Sequence, residues 1–241
     1  MEMNFYLSNT SLYVFWSVIV VTVSFLSYHF ITSSGKFKKR VSKYFGKKRA
    51  KVKIIVIQRL LGLIFFGLIP GIVSGCILKT SLSEMGLNTY NFTESLKWIG
   101  IISPIILIMN YLNAGNKDNL AMYPQIRKKK WNTGLLVLSA LSWITYLIGY
   151  EFMFRGFLLF NLYNTIGILP AITINTSIYA LVHVPKGLKE AIGAIPLGIV
   201  LCILTLNTGS IIIALVVHII MALSNEWFSL IASSKMKFVK K

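Results

Sequence analysis

Apolar residues along this chain come in long blocks separated by short polar stretches. Seven windows stay mostly apolar for roughly the 20 residues a helix needs to cross a hydrocarbon layer. They run from Ser11 to Thr32, Ile54 to Leu78, Leu96 to Leu112, Gly134 to Tyr163, Gly167 to Val184, Ala191 to Leu206 and Ser210 to Ala232. The pattern predicts an all-α fold, a polytopic transmembrane helical bundle of about seven spans, with six to eight allowed by length. The first window lacks the basic flank and small-residue cleavage site of a signal peptide, so it is expected to remain as the first span. Pro70 and Pro196 fall inside windows and are expected to kink them, whereas Pro104 and Pro170 sit nearer span starts. Leu82 to Ser95 is expected to form an amphipathic surface turn.

Composition agrees with lipid as the solvent: 55% of the 241 residues are hydrophobic and the mean hydropathy is +0.70. A net charge of +18 on a soluble chain would suggest nucleic acid. Here the basic residues form short runs between apolar windows, so nucleic acid is excluded as a partner and anionic lipid headgroups are expected instead. Ten Lys or Arg lie from Lys36 to Lys53, five from Lys117 to Lys130, two at Lys186 and Lys189, and four from Lys235 onward. These are alternate loops, so 21 of the 25 basic residues share one side. The N-terminus is therefore expected outside and the C-terminus in the cytoplasm. Arg59, Lys79 and Lys97 lie near window ends, where snorkelling is cheap. Twenty Lys against five Arg, with many Ile and Asn, point to an AT-rich bacterial genome and so to a bacterial cytoplasmic membrane. Cys76 and Cys202 lie in apolar windows and imply no disulfide framework. The chain divides into N-terminal helices with a basic loop (1–95), a core (96–232) and a basic tail (233–241).

Ionisable groups in hydrocarbon cost about 2.5–3.5 kcal/mol each and need a reason to be there. Glu151 and Arg155 in the fourth window are four apart, on one helix face, and can pair. His183 follows Tyr179 by one turn, and His218 lies midway through the seventh window. Each histidine alone fits a hydrogen-bonded core residue as well as a base or ligand. Counted from the turn between the fourth and fifth windows, Glu151 and His183 come within about one helical turn of each other in depth. Tilt or kinking can bring His218 to the same level, so one buried polar site is expected rather than three separate accidents.

The string Tyr150-Glu-Phe-Met-Phe-Arg-Gly156, then Tyr179-x-x-x-His183, then His218 after Asn207-Thr-Gly-Ser210, resembles in order and spacing the three motifs of the CPBP family, the CAAX protease and bacteriocin-processing or Abi proteins. The resemblance covers about Leu96 to Trp227. It implies a helical membrane core that hydrolyses peptide bonds of membrane-associated peptides or proteins, with a glutamate and a histidine activating water. By that resemblance Glu151, His183 and His218 are the catalytic candidates, with Glu151 the base or its partner, His183 sharing the proton and His218 the oxyanion donor. Arg155, Tyr150, Tyr179 and Asn225 support them. No cofactor is expected; the alternative is zinc held by Glu151, His183 and His218 in an open three-ligand site. Two positions depart from the family pattern. Tyr150 stands where the first motif has its first glutamate, and a phenol is a poor base near neutrality. Glu151 lies ~100° further round the helix and would have to turn toward His183. Ala222 stands where the third motif has a polar partner, and Asn225 is about 10 Å from His218 in rise. The alternative function is a catalytically impaired pseudo-protease acting as a binding or immunity-type membrane protein. A transporter reading lacks the paired broken helices such folds use.

Overall fold

The computed structural model describes residues 9–239. Seven of its helices are long and apolar enough to cross a membrane, and each coincides with one of the seven windows. The chain is a multi-pass membrane protein. We label α1 Asn9–Ser33, α2 Gly35–Phe45, α3 Lys47–Leu78, α4 Phe92–Asn113, α5 Lys117–Met122, α6 Thr133–Ile166, α7 Ile168–Leu181, α8 Leu188–Thr208 and α9 Ile212–Ala232. A two-residue parallel strand pair, β1 Lys130–Trp131 with β2 Lys237–Phe238, ties the tail to the segment before α6.

The basic stretch after α1, read from charge as a loop, is helical. Phe37, Val41 and Phe45 recur every four residues, so one face of α2 is apolar while its lysines stand exposed. The Ser34 side chain accepts a hydrogen bond from the Phe37 N–H, which caps the start of α2. Gly46, with φ of 75°, separates α2 from α3. Leu82 to Ser95 forms a turn and then the first residues of α4. Pro104 lies well inside α4, because that helix starts at Phe92 rather than near Leu96.

The bundle is built around α6. A span that carries an acid and a base must shield them from lipid, and all nine residues from Phe152 to Phe160 are buried, with α1, α3, α7, α8 and α9 packed against α6. That stretch is π-helical, widened by one residue per turn. The Asn175 side chain of α7 donates to the Phe154 carbonyl at 2.6 Å, and the Cys202 thiol of α8 donates to the Asn175 carbonyl oxygen at 3.2 Å. Three helices are thereby bound together around the wide turn. On the other side α3 touches α6 backbone to backbone. A Cβ on Gly149 would sit 2.9 Å from the Leu63 Cα and 3.2 Å from the Gly67 N, the close approach that small residues permit between membrane helices.

Candidate functional site

Gly167 marks the turn between α6 and α7. Glu151 precedes it by 16 residues and His183 follows it by 16, so the two antiparallel helices bring them to similar depth. Helix α6 runs to Ile166, three residues beyond the predicted end, which adds to this match.

Glu151 is fully buried. Its Oε1 lies 2.5 Å from the His218 Nδ1 of α9, and its Oε2 lies 3.3 Å from an Arg155 terminal nitrogen. The carboxylate thus faces His218 rather than His183, toward which it would have to turn to stand in for the acid replaced by Tyr150. The wide turn after Glu151 orients Arg155 inward, where the guanidinium carbon stands 4.1 Å from the centre of the Tyr179 ring. His183, in the turn after α7, points its Nδ1 at the Tyr179 carbonyl, 2.7 Å away. A carbonyl only accepts, so Nδ1 carries a hydrogen, and in the neutral ring Nε2 keeps its lone pair.

Tyr150 joins the two imidazoles. Its ring meets His183 edge-on at 6.3 Å between centres and His218 edge-on at 5.6 Å. On its other side it stacks on Tyr146, at 5.7 Å with the ring planes 23° apart. Asn225 is not part of this group: its Oδ1 accepts from the Ser229 hydroxyl one turn further along α9, at 3.5 Å. Rise along the helix explains why, since seven residues carry it about 10 Å from His218. Among the described residues no three His, Cys, Asp or Glu side chains gather as a metal-ligand set. Glu151 Oε1 is occupied by His218, and His183 meets the group through the rings of Tyr150 and Tyr179. The alternative zinc set of Glu151, His183 and His218 is therefore not furnished by this arrangement.

A second buried ionic cluster lies nearer the basic end. Arg59 of α3 is 3% exposed rather than snorkelling, and its Nη2 stands 3.5 Å from Oε1 of Glu226 on α9. Arg59 donates further to the Ser139 carbonyl and hydroxyl, the Ser142 hydroxyl and the Gln125 side-chain oxygen. Glu226 accepts from the Ser139 hydroxyl at 2.6 Å and from the Trp143 indole at 3.1 Å. The sequence reading passed over Glu226. The signal was present: an acid inside an apolar window needs a buried partner, and Ser139, Ser142 and Trp143 share one helix face by spacing.

The class these observations define is a polytopic helical membrane protein with a carboxylate, a guanidinium and two imidazoles grouped inside its bundle. Residues 121–224 match the family model described as type II CAAX prenyl endopeptidase Rce1-like. Over that segment the chain is similar to the CPBP, or CAAX protease, family. The matched stretch holds all three motifs and ends just before Asn225 and Glu226. No curated protein and no solved structure matches the chain.

Proposed function

We propose that this chain is a CPBP-type intramembrane endopeptidase that hydrolyses membrane-associated peptides or proteins with water, using imidazoles for the proton work. The observation that carries the reading is the 2.5 Å contact between Glu151 and His218, braced by Arg155. With Nδ1 hydrogen-bonded to a carboxylate, His218 has Nε2 left for the substrate, and a proton there is balanced by Glu151. That protonated nitrogen donates to the substrate carbonyl oxygen as it becomes an oxyanion. The lone pair on His183 Nε2 takes a proton from water as the water oxygen attacks the carbonyl carbon. When the C–N bond breaks, the same proton passes from His183 to the leaving amine. Arg155 positions Glu151, and Tyr150 forms the wall both imidazoles share.

The second reading is a pseudo-protease that kept the fold as a binding protein. Tyr150 favours it, because its ring lies against both imidazoles where the family motif has a glutamate. Reconstituted protein incubated with membrane-peptide libraries separates the two readings. Under the first, His183→Ala and Glu151→Gln each lower cleavage by about 10²–10³-fold. Cleavage that is absent from the parent, or equal in all three proteins, removes the first reading. Seating in a bacterial cytoplasmic membrane, with the basic loops on the cytoplasmic side and the N-terminus outside, belongs to the same proposal. Labelling of single cysteines placed at Lys39 and Leu82 from each side of sealed vesicles tests it.

A further inference from the structure

At the basic end a cavity of about 380 Å³ lies between α1, α3, α6, the 121–127 segment and the turn after α7. Nothing in the family match accounts for it, and it stands whether or not the chain cleaves peptides. Its charged lining residues are Arg59, Arg127 and Lys186, and among the described residues no Asp or Glu lines it. Arg59 and Lys186 are backed by Glu226 and Glu190, at 3.5 and 3.7 Å, so their charge is partly offset from behind. Among the described residues Arg127 bonds to the carbonyls of Leu120, Ala121 and Tyr123 and pairs with no acid. The Nε–H of Arg59 is buried without an acceptor. Such a site favours an anion.

The walls point to an amphiphile. Phe25, Tyr28, Trp143 and Tyr146 supply rings beside the cations, the amphipathic lining typical of a membrane interface. Ser33 also lines the cavity, and the basic helix α2 starts two residues later, so anionic lipid is concentrated at its mouth. The volume suits one headgroup with its glycerol and is too small for a folded partner. We infer that this cavity holds the headgroup of one net-anionic phospholipid, its phosphate against Arg127, Lys186 and Arg59. The occupant would lie one ring away from the candidate site, because Tyr146 lines the cavity and stacks on Tyr150.

The full chain in detergent, titrated with dioleoyl phosphatidylglycerol or phosphatidylcholine and read as one-lipid adducts by native mass spectrometry, tests the inference. Each interfacial cation is worth about fivefold in affinity. Phosphatidylglycerol should therefore be retained over phosphatidylcholine, with about fivefold loss in Lys186→Gln and about 25-fold in Arg127→Gln/Lys186→Gln. The single variant, on an exposed turn, guards against misfolding of the double. The α2 variant Lys38→Gln/Lys39→Gln/Arg40→Gln should leave the tight adduct in place. Equal retention of both lipids, no loss in either cavity variant, or loss confined to the α2 variant would overturn the assignment. Displacement of the adduct by inorganic phosphate at millimolar concentration would overturn the lipid and leave a free-phosphate site.

Discussion

Removing one partner of the Arg59–Glu226 pair should destabilise the bundle far more than removing both. The two side chains are 3% and 1% exposed, and Arg59 makes four hydrogen bonds to α6 and Gln125 besides the ion pair. Glu226→Leu strands a guanidinium in the bundle, and Arg59→Met strands a carboxylate. An uncompensated buried charge costs about 3–5 kcal/mol. The double variant strands neither charge and leaves only neutral groups, those of Ser139, Ser142, Gln125 and Trp143, to find new partners, so a cost of about 1–3 kcal/mol is expected. The cycle should then close with a coupling energy of at least about 3 kcal/mol. Unfolding of the four proteins in mixed micelles by increasing sodium dodecyl sulfate, followed by circular dichroism, measures it. Additive single variants, each costing under about 1 kcal/mol, would mean that water reaches the pair and would refute the reasoning.

Other positions give simpler outcomes. Gly149→Ala brings a methyl within 2.9 Å of the Leu63 Cα, so α3 and α6 must separate, and a loss of about 1–3 kcal/mol is expected by the same unfolding assay. Asn225→Ala should leave peptide cleavage unchanged, because its bond is to Ser229 and not to the His218 group; a large loss of activity would contradict that geometry. Asp118 lies 2.6 Å from the Lys189 ammonium, which holds its carboxyl below the usual carboxylate range. A depressed folded value means that the tie is present above the unfolded pKa and lost as pH falls through the lowered folded one. Carbon NMR of Asp118 should therefore show a midpoint below about 3.9, moving up toward it in Lys189→Gln.

The spans were legible because hydrocarbon thickness is a length that every window has to meet, and all seven windows coincide with helices. Their ends were not, because a polar residue stays helical when its side chain can reach the interface. Helix α3 begins at Lys47, seven residues before the apolar window at Ile54, through a run of lysines that stand exposed. The same charge run hid α2, whose three apolar residues are too few to register as a window yet fall at helical spacing. Arg59 was misread for the opposite reason. Distance from the window end said that it could snorkel, but what decides its fate is the lateral neighbourhood, and Glu226 lies 167 residues away in sequence.

Within the site, spacing along the chain fixed depth but not facing. Equal separation of Glu151 and His183 from Gly167 sets their level whatever the helices' rotation. Facing depends on the widened turn from Phe152 to Phe160, and a π-helical stretch carries no periodic signature in a segment that is apolar but for Arg155 and Gly156. Glu151 sits at the start of that turn, with Arg155 inside it. The pair still meets at 3.3 Å, yet the acid's other oxygen is delivered to α9 and not to α7. Tyr150, one residue earlier, is left against both imidazoles. The replacement of the family's first glutamate by this phenol then has a physical consequence beyond a lost base. A carboxylate at that position would put a second negative charge next to the buried Glu151, whereas the phenol adds none. Tyr150→Glu is therefore expected to raise peptide cleavage above the parent's only if the added acid finds its proton or its partner at His183.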